Sequence, residues 1–308
     1  MPPRSPLPPR HGLQAAWLRT PDHGQPRPWP TMRAYLVERL GPAGPVEVDR
    51  MLAAEAFVWQ DGSSVGAAEP VPPHQFVWFH RELREEPTVP GEVVVLHRDD
   101  RIVVVDKPPF LSSIPRGRHV TESVVVRLRH QLGLPELGPA HRLDRLTSGV
   151  LLLTTERRWR APYQSMFERR EPVKTYLALA GFRPELEWPR TVCSHIIKER
   201  GDRQAHEIAG LSPNAETQLE LVTRVGERGL YRLRPRTGRT HQLRVQLAGL
   251  GIPIQGDPLY PVEQEVDIDD FSTPLQLLAE SLSFIDPVDG RECEFRSPRQ
   301  LPLRGATG

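Results

Sequence analysis

Cysteine is scarce: Cys193 and Cys293 are the two among 308 residues, and they stand far apart. Neither belongs to a paired spacing of the kind that holds zinc or builds a disulfide framework, so both read as core or incidental positions, and no metal is expected. Long apolar runs are missing as well. No stretch approaches the roughly 20 residues a membrane helix needs, and the first residues hold no compact apolar segment of the secretory kind. A soluble, cytoplasmic protein without a membrane partner is the expectation. It should be a monomer, since no surplus apolar helix asks for a second copy.

A third absence is local. The formal net charge is only +1, yet from Gly229 to Gln255 there is no Asp or Glu, while Arg232, Arg234, Arg236, Arg239 and Arg244 are all present. Acid collects instead in "EQEVDIDD", residues 263–270, which reads as an exposed loop. An uneven distribution of this sort suits a phosphate-rich partner, although a solvated arginine face would look much the same.

Residues 1–30 mix proline, glycine and charge with no apolar period, and read as a disordered lead. From Thr31 the pattern changes. "TMRAYLVERL" sets Met32, Tyr35, Leu36 and Leu40 on one helical face, and a second short helix and a turn at Asp61-Gly62 complete a small helix-rich module over 31–80. Residues 81–91, "RELREEPTVPG", read as a linker. The main domain spans 92–300, followed by a tail over 301–308. It opens with two Val-rich strands around Arg98 to Arg101. Further strands follow in "GVLLLTT", "VKTYLALAG", "AETQLELVTRV" and "GLYRLRPRTG", with helices in "TESVVVRLRHQLGL", "ERRWRAPYQSMFERR" and "RTHQLRVQLAGLG". Strands interrupted irregularly by helices indicate an α+β class with a mixed, mainly antiparallel sheet.

The densest chemistry lies in "PAHRLDRLTSGVLLLTT", where His141, Arg142, Asp144, Arg145, Thr147 and Ser148 crowd ahead of an apolar strand. A carboxylate among arginines is favoured in its ionised form and can serve as a nucleophile, and Asp144 is that carboxylate. A turn aspartate accepting backbone hydrogen bonds explains the local pattern equally well. Tyr176 reads on its own as a core strand tyrosine.

"HRLDRLTSGVLLLT" resembles the catalytic motif of the RluA-type RNA pseudouridine synthases. Further segments match that family in order: "IVVVDKPPFL", "VKTYLALAG", "PNAETQLELV" and "LRPRTGRTHQLRVQLAGLGIPIQGDPLY". The resemblance implies isomerisation of uridine to pseudouridine in ribosomal or transfer RNA, without cofactor. It makes Asp144 the nucleophile, attacking either the sugar or the uracil ring. It packs Tyr176 on the uracil, where it could serve as a base, and pairs Arg244 with Asp144. Arg142 would fill the place of the flipped nucleotide. Arg145, Arg236, Arg239, His241 and Lys107 are the remaining candidates for RNA contact.

Three departures from the family pattern bear on substrate choice: Gln246 where many relatives have His, "PFLSSIP" after the Lys-Pro turn, and "LQLLAESLSF" without the common Leu-His-Ala. Residues 31–80 faintly resemble the family's small RNA-binding domain without being notably basic. Two other readings compete. A glycoside-type hydrolase would want a second carboxylic acid beside the nucleophile, which the motif does not supply. A catalytically inactive RNA-binding or RNA-folding protein would have no need of Asp144, Tyr176 and Arg244 together.

Overall fold

The computed structural model describes residues 2–10, 12–22, 29–83, 85–115 and 119–302. Two compact units divide it, Met1–Glu85 and Glu86–Gly308.

In the first unit, strand β1 (Ala16–Arg19) precedes helices α1 (Met32–Arg39) and α2 (Gly44–Ala53), and strand β2 (Phe76–Phe79) closes the unit. The Thr31 hydroxyl caps α1 by accepting from the Ala34 N–H at 3.3 Å, which satisfies one of the donors a helix start leaves open. Met32, Tyr35 and Leu36 of α1 pack with Val48 and Met51 of α2, Phe57, Val77 and Phe79, and Arg33 bridges the helices by a two-pronged ion pair to Asp49. The lead expected to be disordered is ordered in part. β1 pairs antiparallel with β2 from Ala16↔Phe79 to Arg19↔Phe76. A four-residue strand whose mate lies far along the chain leaves no local period to read.

The second unit is built on one sheet. Its elements run β3 (Val94–Arg98), β4 (Ile102–Lys107), α3 (Val124–Leu132), β5 (Gly138–Pro139), β6 (Ser148–Thr154), α4 (Arg157–Glu168), β7 (Val173–Gly181) and β8 (Arg190–Ser194). Then come the short pair β9 (Ile196–Ile197) and β10 (His206–Glu207), β11 (Ala215–Val225), β12 (Arg228–Pro235), α5 (Gln242–Gly249), β13 (Leu277–Ile285) and β14 (Glu292–Arg296). Ten strands join in the order β3-β4-β6-β13-β7-β12-β11-β8, with β5 on β6 and β14 on β13. The ladder between β6 and β13 is parallel and the others are antiparallel. This is the α+β arrangement that the strand-rich, irregular element order indicated.

The centre of the sheet is covered on both faces, which explains why β4 and β6 read as unbroken apolar runs. Val103, Val105, Leu151 and Leu153 enter the core that holds α3 and α5. Their alternates Ile102, Val104, Val150 and Leu152 pack on Tyr163 and Met166 of α4. Where β6 meets β13, Gly149 has φ +110°, and a Cβ there would stand 2.2 Å from the Ala279 carbonyl oxygen, so glycine is required.

The chain's division falls at Glu85/Glu86 rather than after residue 91. The Glu86 carboxylate accepts N–H groups of Val120, Thr121 and Glu122, and Val89 is buried in the main core, so this part of the expected linker belongs to the second unit. Of the expected tail, residues 303–308 lie outside the described residues, as do parts of the expected lead.

Candidate active site

A cavity of about 1520 Å³ opens within the second unit. The loop before β6, the start of β7, the turn into α5, the stretch 253–261 and part of the acidic segment 263–270 line it. Among the residues singled out in the sequence, Arg142, Asp144, Arg145, Tyr176, Arg239, His241 and Arg244 all border this space. Two do not.

Asp144 sits in a loop fixed at both neighbours. The Ser113 hydroxyl donates to the Leu143 carbonyl at 2.8 Å and accepts from the Leu143 N–H at 3.1 Å. On the other side the Lys107 ammonium donates to the Arg145 carbonyl at 3.0 Å. With these clamps, and with the Thr147 N–H donating to the Asp144 carbonyl, the carboxylate is left half-buried at the cavity wall. Ser113 belongs to "PFLSSIP", one of the departures noted in the sequence, so that departure carries a structural clamp.

Lys107 is not an outward-facing contact. It is fully buried at the end of β4 and also donates to the carbonyls of Pro108 and Leu111. Burial pushes its ammonium well below the ordinary lysine value despite the negative charge of Asp144. A lysine next to prolines after a strand looks solvated in sequence; the fold instead turns it inward as a loop staple, and RNA contact by Lys107 is corrected accordingly.

Arg244 reaches the cavity from α5 and is 2% exposed. Its first partner is Asp257, which takes a fork of two hydrogen bonds at 2.7 and 2.6 Å, and its remaining nitrogen stands 3.8 Å from Asp144. Burial alone would weaken the cation, but the hydrogen bonds and charge of Asp257, with Asp144 behind them, raise it above the ordinary arginine value. The Leu259 N–H holds Asp257 in turn at 2.9 Å. The preceding Gly256 has φ +72°, and a Cβ there would lie 2.4 Å from the Pro274 carbonyl oxygen. Asp257 was not singled out in the sequence. The available signal was that it is the first acid after an acid-free run containing the arginine it neutralises.

His241 caps α5 in a left-handed conformation, φ +56°. Its Nδ1 lies 2.9 Å from the Tyr260 hydroxyl and its Nε2 4.0 Å from Asp144, and burial pushes the imidazole below its ordinary value even with that carboxylate near. Tyr176 shares a face of β7 with Lys174 and packs against the core. Burial, assisted by the charge of Asp144, pushes its phenol far up. A phenol held in that way is protonated at neutral pH.

The arginines of the acid-free run have acquired partners. Arg232 and Arg234 approach Glu220 at 3.3 and 3.8 Å, and Arg236 lies 3.2 Å from Glu216. Both glutamates come from β11, the antiparallel neighbour of β12. Arg236 is exposed and stands outside the cavity lining. Arg239 donates to the Asn214 carbonyl at 3.2 Å, and Arg145 to that of Ile268 at 3.1 Å. The third departure, Gln246, is buried behind the site, where it accepts from Thr217 at 2.6 Å and donates to Ser194 at 3.0 Å. Among the described residues no group of His, Cys, Asp and Glu is placed to hold a metal ion, and no helix is long and apolar enough to cross a membrane.

Residues 101–249 match the RNA pseudouridylate synthase family model. The dual-specificity RNA pseudouridine synthase RluA of Escherichia coli K12 is 31% identical over 217 residues, which cover 67% of this chain and 93% of that protein. The mitochondrial tRNA pseudouridine(32) synthase of Saccharomyces cerevisiae is 31% identical over 59% of this chain and 40% of its own length. Among solved structures, human RNA pseudouridylate synthase domain containing 4 superposes with a TM-score of 0.53 at 26% identity, covering 68% of this chain and 89% of that one. Sequence and fold therefore agree over the unit that carries Asp144, and the chain belongs to the RluA-type RNA pseudouridine synthases, which are isomerases.

Proposed function

We propose that a uridine of structured RNA enters the cavity and is isomerised there with Asp144 as the nucleophile. The observation that carries this reading is the half-buried Asp144 carboxylate, clamped through both chain neighbours and 3.8 Å from a buried arginine whose other face is already satisfied. Isomerisation breaks the bond between ribose C1′ and uracil N1, turns the ring, and joins C1′ to C5. The C5 proton leaves to solvent and N1 ends protonated. Asp144 attacks either the sugar or the ring, and either attack needs an ionised, positioned carboxylate. Arg244 holds Asp144 by charge, while Asp257 keeps that guanidinium from collapsing onto the nucleophile. Tyr176 supplies a flat face and a neutral O–H for the ring. A buried target base must leave its stack, and Arg142, exposed on the cavity rim, is the side chain available to fill its place. Arg145, Arg239 and His241 border the path of the strand.

The RNA is ribosomal or transfer RNA. The RluA relatives are dual-specificity enzymes, and the yeast relative acts on a tRNA position. The protein is read as a monomer working in the cytoplasm, in line with the bacterial RluA relatives.

The test is pseudouridine mapping by carbodiimide-dependent reverse-transcription stops, in RNA from cells lacking the gene and cells restored with wild type or Asp144→Asn. A site lost on deletion should return with wild type only, and the variant should lose at least ~10³-fold in rate while still binding RNA. Full restoration by Asp144→Asn would sink the nucleophile. No changed site at all would favour the non-catalytic RNA-binding reading.

A further inference from the structure

The wall of the cavity where α4 ends and β7 begins differs from the rest of the lining. Lys174 lies there, half-buried, and its ammonium donates only to the Thr237 carbonyl, at a long 3.5 Å, among the described residues. Arg170 follows the end of α4 in a left-handed conformation, φ +60°, and is exposed. Glu168 is the carboxylate of this wall, and it makes no ion pair with either cation among the described residues. Of the other cavity cations, Arg244 has Asp257, Arg203 has Glu263 at 2.7 Å, and Arg145 has the Ile268 carbonyl at 3.1 Å, while Arg142 stands exposed on the rim.

His141 completes the wall. Its ring stacks on Phe167 with centroids 4.4 Å apart, and its Nε2 lies 3.1 Å from the Leu152 backbone nitrogen. A backbone N–H can only donate, so Nε2 is the unprotonated acceptor and the neutral ring carries its proton on Nδ1. That N–H has no protein acceptor among the described residues. Burial and the nearby Lys174 push the imidazole down to about 3, so it stays in this neutral, donating form. Gly238 faces the same place: a Cβ there would already lie 3.9 Å from the Lys174 ammonium, and the absence of a side chain leaves the approach open.

We propose that Lys174, Arg170 and the Nδ1–H of His141 form a subsite for one phosphodiester of the RNA strand that carries the target uridine. The inference rests on the reading that RNA occupies the cavity. Three donors with little competing acceptor suit a tetrahedral anion with several lone pairs, and a partly desolvated ammonium lacking a carboxylate gains most from a charged partner. Lys174 and Tyr176 are two residues apart on one strand face, about 7 Å along β7, a step of the order of one nucleotide. A phosphate at Lys174 would thus set where the adjoining base meets Tyr176.

The experiment uses the full chain, as wild type, Lys174→Gln and Lys174→Arg. The probe is an in vitro transcribed mixture of ribosomal and transfer RNA labelled with tritium at uracil C5. Joining C1′ to C5 releases that tritium to water, so release reads turnover. Filter binding across a salt series reads phosphate contacts. Lys174→Gln should raise the apparent KM on the order of ten-fold or more, with a far smaller change in kcat. It should also flatten the slope of log affinity against log salt by about 0.7 to 0.9, while Lys174→Arg keeps the wild-type slope. An unchanged salt slope, or a fall in kcat at constant KM, overturns the subsite and leaves Lys174 as a support for Tyr176. If wild type releases no tritium, the reaction assigned to the cavity fails, and the salt series still decides whether Lys174 meets phosphate.

Discussion

Two regions of the catalytic unit carry positive charge, and only the first of them stands out along the sequence. The run containing Arg232, Arg234 and Arg236 is free of acid and looks like the natural landing place for RNA. The stretch "ERREPVKTY" looks balanced, with acids between its cations. In the fold, β11 lies antiparallel to β12 in a register that brings Glu216 and Glu220 against those arginines. On the other wall, Arg169 pairs with Glu171, and Arg170 and Lys174 face the cavity beside Glu168 without an ion pair to it among the described residues. Strand pairing redistributes charge between segments that are distant in the chain. An acid-free run therefore reports the field of one strand, while the field a ligand meets is that of the paired sheet.

The strongest challenge to this comparison is to remove a counter-charge where burial makes it matter most. Asp257→Ala leaves the Arg244 cation nearly inaccessible to water and without its fork. Breaking a buried pair by removing one partner costs about 3–5 kcal/mol, because the remaining charge stays desolvated. The urea midpoint of the variant should fall by that amount divided by the transition's slope. A loss below about 1 kcal/mol would mean that Asp144 can replace Asp257 as partner, and the two carboxylates would no longer have separate tasks.

A smaller effect sharpens the other side of the comparison. His141 is held neutral, with its value pushed down to about 3 by burial and by Lys174, while in the unfolded chain it titrates near 6.5. Between those two values the unfolded chain binds a proton that the folded chain does not. The folded state therefore loses stability as pH falls through that window. From pH 7 to pH 5 this group accounts for about 2 kcal/mol, from the roughly 1.5 pH units below 6.5 at 1.36 kcal/mol each. His141→Asn should remove this part of the acid sensitivity, so urea midpoints of variant and wild type should converge at the lower pH. Parallel profiles would show that the imidazole is not held neutral by this wall.

The motif around Asp144, the apolar runs of β4 and β6, and the amphipathic α4 were legible because each is a local pattern, and most of the cavity lining follows once those elements pair. What was not legible depends on partners distant in sequence. Lys107 reads as a surface residue because its three carbonyl acceptors come from two separate turns. β1 has a mate 57 to 63 positions on, visible only in the register Ala16↔Phe79 to Arg19↔Phe76. Arg244 was expected at Asp144, and its closer partner in the following turn appears only when α5 and that turn are folded together. His141 and Lys174 stood inside quoted motifs, but their tautomer and lack of counter-charge are properties of the assembled wall.

The smallest predicted effect is the most direct comparison of the two regions. Arg236 is 65% exposed and its pair with Glu216 is a surface pair, so Arg236→Gln should change stability by less than about 1 kcal/mol. Its charge is already met by the neighbouring strand and lies outside the cavity lining, so the same variant should alter the salt slope of RNA binding less than Lys174→Gln does. Glu216→Gln removes the counter-charge and should make the slope steeper, by no more than about 0.9, the worth of one full phosphate contact. If Arg236→Gln flattens the slope as much as Lys174→Gln, the β12 strip is as available to phosphate as the cavity wall, and compensation across the β11–β12 register does not govern where the RNA lies.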